Sequence, residues 1–139
     1  MIDLGLVSKK LAFIETCVRE LRTLARIEAL DHDVKEERFV EHTLQLAIQA
    51  ALDVASHIVS DERLGEPETN RDLFDSLLRA GFIGADLAGI LGDMAGFRNI
   101  LVHGYGDVDL GIVKDVVETH LADLLAFVDA IRQRNHSRP

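Results

Sequence analysis

Between Ala80 and Val113 the chain carries one formally basic side chain, Arg98, which opens the segment Arg98-Asn99-Ile100-Leu101-Val102-His103-Gly104-Tyr105. An arginine and a histidine that meet on one phosphodiester suffice to cleave RNA through its own 2′-hydroxyl. The imidazole moves a proton near neutral pH, and the guanidinium stabilises charge on the crowded phosphate. No metal and no cofactor is needed for that chemistry, and neither is expected. His32, His42, His57, His103, His120 and His136 include no pair four apart with a matching acid. The plain alternative is a surface or salt-bridged Arg98, with His103 favoured at a helix end by the macrodipole.

Spacing constrains the pair. Asn99 and His103 are four apart and share a helix face. Arg98 and His103 are five apart, which places them about 140° around a helix of 3.6 residues per turn. They converge only if the long arginine reaches round, if the helix unwinds near His103, or if a second subunit completes the site. Gly104 and Gly106 favour a helix end at that point.

A second polar constellation lies earlier in the chain. From His42 to Ser60 the only formally charged residue is Asp53, and Gln45, Gln49, Asp53 and His57 follow at steps of four. They form a polar strip beside an apolar helix face. A helix so poor in charge is expected to be covered on most sides. The strip reads either as a hydrogen-bond network that fixes helix register, or as a cleft in which Asp53 and His57 support the site. Eight of the ten glycines fall between Gly81 and Gly111, with Gly89, Gly92 and Gly96 on one side of a helix. Glycine costs about 1 kcal/mol against alanine inside an exposed helix, so tight helix packing or a homodimer seam is expected there.

The elements that must carry these residues are helices. Val7, Leu11, Ile14, Val18, Leu21 and Leu24 trace one face of a long first helix. After Asp31-His32-Asp33, with Asp33 or a near neighbour as cap, a second stripe runs Val40, Leu44, Ala47, Ala51, Val54, Ile58. Gly65, Pro67 and Asn70 mark a loop. Thr69 and Asp72 cap a short helix over about 70–80 that Gly81 closes. A fourth helix over about 84–103 turns Leu87, Leu91, Met94, Phe97 and Leu101 inward. Asp109 caps the last, whose stripe is Val113, Val117, Leu121, Leu124, Val128 and Ile131. The expected fold is all-α, an up-and-down bundle of four main helices plus one short helix. It is one domain over 1–139, with a frayed basic tail from Arg132 to Pro139.

Composition bounds the function. A chain of 139 residues fits one domain. The lone Cys17 excludes an internal disulfide and sits on the apolar face of the first helix as a small core residue. The start does not read as a secretory leader, no apolar run spans a membrane, and a cytoplasmic setting is expected. Fifteen basic against 24 acidic side chains give a net charge of −9. That balance disfavours a broad nucleic-acid clamp and leaves room for a local site with weak, salt-sensitive RNA binding.

The segment from Arg98 to Tyr105 resembles the motif of HEPN-domain ribonucleases: arginine, four intervening residues, histidine, one residue, tyrosine. More narrowly, the chain resembles the HepT-like toxins that are paired with a minimal nucleotidyltransferase antitoxin of the MntA type. The likeness extends to 47–57, to Gly65-Glu-Pro-Glu-Thr69, to Met94-Ala-Gly-Phe-Arg-Asn99 and to the helical order over about 5–133. It implies Arg98 and His103 as the ribonuclease pair, with Asn99 at the polar position beside the arginine. It also implies a homodimer with two motifs facing one cleft, and Tyr105 as the acceptor of AMP from the partner nucleotidyltransferase. An AMP group two residues from His103 adds charge and bulk where the RNA phosphate must sit. The competing reading is a non-catalytic helical subunit that docks a nucleotidyltransferase or holds a nucleotide through the same residues.

Overall fold

A computed structural model describes residues 2–104 and 108–136. Among the described residues six α-helices follow in order: α1 (Leu4–Leu24), α2 (Val34–Asp61), α3 (Asn70–Arg79), α4 (Ala85–His103), α5 (Leu110–Asp115) and α6 (Leu121–His136). A 3-10 turn at Ile27–Ala29 comes after α1, and a π turn at Val116–His120 joins α5 to α6 in one continuous rod. α1 packs on α2, α2 on α4, α4 on α6 and α6 on α1, which closes the four-membered ring of a bundle. The short α3 lies against α4 and α2. The expected all-α bundle of four main helices and one short one is the observed architecture. No helix among the described residues is long and apolar enough to cross a membrane.

Local chemistry sets the helix starts. The carboxylate of Asp33 accepts from the backbone N–H groups of Lys35 and Glu36, satisfying donors that α2 cannot pair internally. Thr69 and Asp72 form a reciprocal capping box at α3. Asp109 accepts from the N–H of Gly111 and starts α5. Asp3 does the same for α1 through Leu6.

The apolar stripes meet in one core. Every expected α2 position, from Val40 to Ile58, is buried, and so are Ile48, Ala50, Leu52, Ala55 and Val59. That breadth of burial accounts for the charge-poor sequence of α2. Leu24, expected on the α1 stripe, is instead 62% exposed, because α1 ends there and Ala25 turns extended. In the last rod the stripe passes through buried Val116 as well as half-buried Val117, since the π turn inserts an extra residue and rotates the helix beyond it. Phe127 meets Phe74 edge-on at 6.0 Å between centroids, which fastens α3 to α6; such a pair contributes roughly 0.5–1.5 kcal/mol beyond its area.

The tail expected to fray from Arg132 is helical as far as His136. Arg132 makes a two-pronged salt bridge to Glu15 of α1, at 2.7 and 2.8 Å, and Arg134 lies 4.6 Å over the Phe82 ring. Long-range partners of this kind hold an end that local composition alone would release. Residues 137–139 lie outside the described residues.

Candidate functional site

α4 follows its N-cap Gly84 and remains helical through His103, its last residue. The N–H of Gly104 then donates to the carbonyl of Ile100 at 2.7 Å. A Cβ built on Gly104 stands 2.5 Å from that carbonyl oxygen and 3.3 Å from Cγ2 of Val108, so the close approach requires glycine. The helix therefore ends just after the motif histidine rather than between Arg98 and His103. Of the three ways for Arg98 and His103 to meet, unwinding of the helix is not used.

Arg98 is half-buried, while Asn99 and His103 are exposed. Nη1 of Arg98 donates to Oδ1 of Asn99 at 3.0 Å. Nε of Arg98 is shielded from solvent with no acceptor among the described residues. No hydrogen bond joins Arg98 to His103 among the described residues. The motif thus contains a guanidinium anchored by its own neighbour, with an exposed imidazole on the same face as that neighbour. A guanidinium held in this way presents its remaining donors to an anion, and a phosphate is an anion it can bind in bidentate fashion. Tyr105, the expected acceptor of AMP, lies outside the described residues.

Two grooves on α2 border the end of α4. One, of about 330 Å³, is lined by Arg38, Glu41, His42 and Gln45 of α2 and by Leu101 of α4. The other, of about 490 Å³, runs from Ser56 of α2 past the start of α3 to Asn99. In the first groove Oε2 of Glu41 is shielded without a partner among the described residues. Burial, reinforced by the Glu37 carboxylate one turn away, pushes the Glu41 carboxyl up to about 7. The like-charged spacing of Glu37 and Glu41 was the signal in the sequence for this group. The second groove had none, because its walls come from α2, α3 and α4.

Asp53 and His57 face a different element. Asp53 accepts from Gln49 Nε2 at 2.8 Å and from Lys10 Nζ of α1 at 3.0 Å, while Nε2 of His57 accepts from the backbone N–H of Asp3 at 3.0 Å. These bonds tie α2 to α1 and set their register, and none reaches Arg98, Asn99 or His103 among the described residues. The strip is divided in use, since Gln45 lines the groove beside Leu101 instead. Gly92 lies beneath Arg71, which pairs with Asp93, whereas a Cβ on Gly89 or Gly96 meets nothing within 4 Å. Only one of the three helical glycines thus serves packing inside the described chain. Cys17 is buried, and burial pushes its thiol up to about 11, which makes it a core residue rather than a nucleophile.

Comparisons with known proteins agree with this architecture. The profile of the family described as Ribonuclease HepT-like matches residues 14–131. The mRNA nuclease HepT of Shewanella oneidensis is 33% identical over 128 residues, covering 91% of this chain and 96% of that protein. The tRNA nuclease HepT of Aphanizomenon flos-aquae is 30% identical over 110 residues, covering 78% of this chain and 75% of that one. The solved structure of a tri-AMPylated Shewanella oneidensis HEPN toxin in complex with its MNT antitoxin superposes with a TM-score of 0.85 at 33% identity, covering 96% of this chain and 99% of that chain. With a match over most of its length and an arginine, a histidine and their asparagine neighbour at the end of one helix, the chain belongs to the HepT-like ribonuclease family.

Proposed function

We propose that this protein is the toxin of a toxin–antitoxin pair and cleaves RNA internally, with Arg98 on the phosphate and His103 in proton transfer. The observation that carries this reading is the Arg98–Asn99 pair beside an exposed His103 at the end of α4. In the reaction the 2′-oxygen attacks phosphorus and the bond to the 5′-oxygen breaks. The 2′-hydroxyl proton is taken up and a proton is delivered to the leaving 5′-oxygen, which leaves a 2′,3′-cyclic phosphate and a 5′-hydroxyl. His103 serves one of these transfers, and Arg98 stabilises the charge that gathers on the non-bridging oxygens.

Arg98 and His103 stand about 140° apart on a continuous helix, and the homodimer that the family resemblance implies, with two motifs on one cleft, would supply both groups to one phosphate. The open faces of Gly89 and Gly96 leave room on α4 for such an approach. A nucleotidyltransferase of the MntA type is the proposed antitoxin, and AMP transfer to Tyr105 the silencing step. Both are supported by the Shewanella oneidensis toxin, whose solved form is AMPylated and bound to its MNT antitoxin. The cytoplasm, where RNA and such a partner meet, is the proposed location.

The test is cleavage of single-stranded RNA by the purified chain. Products ending in 2′,3′-cyclic phosphate, formed equally in EDTA and lost in His103→Ala, support the reading. Cleavage that EDTA abolishes, or that persists in His103→Ala, overturns it.

A further inference from the structure

The groove that ends on Asn99 adjoins a second cavity of about 420 Å³, and the two share Ser56, Pro67 and Leu73. Each volume lies in the range of roughly 300–1,000 Å³ found for small-molecule sites. Asn99 is hydrogen-bonded to Arg98. The double cavity therefore begins one side chain away from the group assigned to the scissile phosphate. Leu73 and Pro67 give it an apolar wall, Ser56 and Asn70 add neutral hydrogen-bonding groups, and Glu66 and Glu68 bring two carboxylates.

Arg63 is the one cation among the described lining residues. It follows the C-cap of α2 in the left-handed region, with φ +55°. The N–H of Leu64 donates to the carbonyl of Val59 at 2.9 Å, and that of Arg63 to Ser60 at 3.3 Å, the bond pattern of a Schellman ending. Glycine is the usual residue at this position because a Cβ is strained there. Here the strained position carries a long cation that lines the cavity, and such an outlier points from geometry to use.

We propose that this double cavity seats one unpaired nucleotide of the RNA next to the scissile phosphate, with Glu66 and Glu68 facing the amino edge of its base and Arg63 on its outer phosphate. The proposal rests on the ribonuclease reading and adds a source of sequence preference to it. Two carboxylates repel a phosphate from the middle of the cavity but accept hydrogen bonds from the exocyclic amino group of adenine, cytosine or guanine. Uracil presents an N–H bracketed by two carbonyl oxygens, which the carboxylates repel. Single-stranded RNA supplies such bases unstacked, with the Watson–Crick edge free.

The experiment compares kcat/KM of the full chain on single-stranded oligouridylates in which one central nucleotide is A, C, G or U. The wild type is expected to cleave beside A, C or G about tenfold faster than beside U, a difference of the size that one base-edge contact supplies. The double variant Glu66→Gln/Glu68→Gln should lose that preference, its rates beside A, C and G falling to the level of its rate beside U. Arg63→Gly suits the left-handed backbone, so its Tm should not fall. Its RNA affinity should drop for all four oligonucleotides alike, and the slope of log K against log salt should flatten by about one. Equal rates beside all four bases in the wild type, a preference retained in Glu66→Gln/Glu68→Gln, or an unchanged salt slope in Arg63→Gly each overturn the proposal and leave the ribonuclease reading standing. A folded wild-type chain that cleaves none of the oligonucleotides overturns both.

Discussion

Nη1 of Arg98 lies 3.0 Å from Oδ1 of Asn99, the next residue in the chain, while Nε of the same guanidinium is shielded without an acceptor among the described residues. The asparagine turns a flexible cation into an oriented one. The unpaired Nε adds a cost of about 1–3 kcal/mol for a buried donor. A half-buried arginine held by the neutral amide of its neighbour differs from the salt-bridged arginine that its sequence context equally allowed.

Removal of either member of the proposed catalytic pair should abolish chemistry rather than folding. His103→Ala is expected to lower kcat by roughly 10²–10⁴-fold, the range for a lost general acid or base. Because His103 is exposed at the end of α4, the stability of the variant should stay within the scatter of neutral surface changes, about ±0.5 kcal/mol. Arg98→Lys should not restore the activity lost in Arg98→Ala, since an ammonium lacks the planar fork. Cleavage assays beside thermal melts check all three.

Asn99 holds Arg98 by a hydrogen bond, so on the proposed function it acts through that residue and defines a different pattern. Asn99→Ala frees the guanidinium, so kcat should fall by about tenfold, in keeping with one positioning hydrogen bond of roughly 1–1.5 kcal/mol. Asn99→Asp should weaken RNA binding by adding negative charge beside the phosphate.

Gly104→Ala places a Cβ 2.5 Å from a backbone carbonyl oxygen, and a backbone atom has no cheap way to withdraw. A loss of about 1–3 kcal/mol is expected, the usual range for overpacking. Activity should fall with it, because the strain is released by moving the turn that carries His103. Chemical denaturation and RNA cleavage measured on the same preparation separate the two effects.

Gly89→Ala and Gly96→Ala should behave oppositely. A Cβ at either site meets nothing within 4 Å, so each substitution should stabilise an isolated chain by about 0.5–1 kcal/mol through helix propensity. In a dimer seated on that face of α4 the same methyl groups obstruct contact. Stabilised monomers with reduced cleavage, seen by sedimentation and activity assay, are the expected outcome, and unchanged association would remove the glycines from the interface.

Glu41 predicts a dependence of stability on pH. The folded chain holds its proton up to about pH 7, whereas the unfolded chain releases it near 4.5. Between those values the folded state binds more protons, so stability falls as pH rises and levels off above 7. Glu41→Gln should remove that slope and raise the thermal midpoint at pH 8. The effect should be smaller than full linkage implies, because the group is only half-buried and Arg38 and His42 line the same groove. Melting curves from pH 4.5 to 8 measure it.

Much of the architecture was legible in local residues. Asp33, the Thr69–Asp72 box and Asp109 mark helix starts, because a cap is a contact between residues two or three apart. The stripes on α2 and α4 mark buried faces, because 3.6-residue periodicity needs no partner to be read. The motif from Arg98 to His103 was legible for the same reason, and so was the charge-poor α2. Leu24 was not, since its exposure depends on where α1 ends relative to the bundle.

The residues by themselves therefore determined most of what acts over one or two turns: helix starts, the main core faces, and the placement of Asn99 beside Arg98 and on the face of His103. The tertiary structure decided the long-range matters. Asp53 and His57 met Lys10 and Asp3 across α1, rather than the motif, because helix packing chooses which side of a polar strip is occupied. Arg132 became an anchor through Glu15, 117 positions away in the chain, rather than the start of a loose tail. The cavity joining Ser56 to Asn99 exists only where α2, α3 and α4 come together. Local rules are set by bond geometry within a helix, while these contacts depend on how several helices divide one core, which no single stretch of sequence encodes.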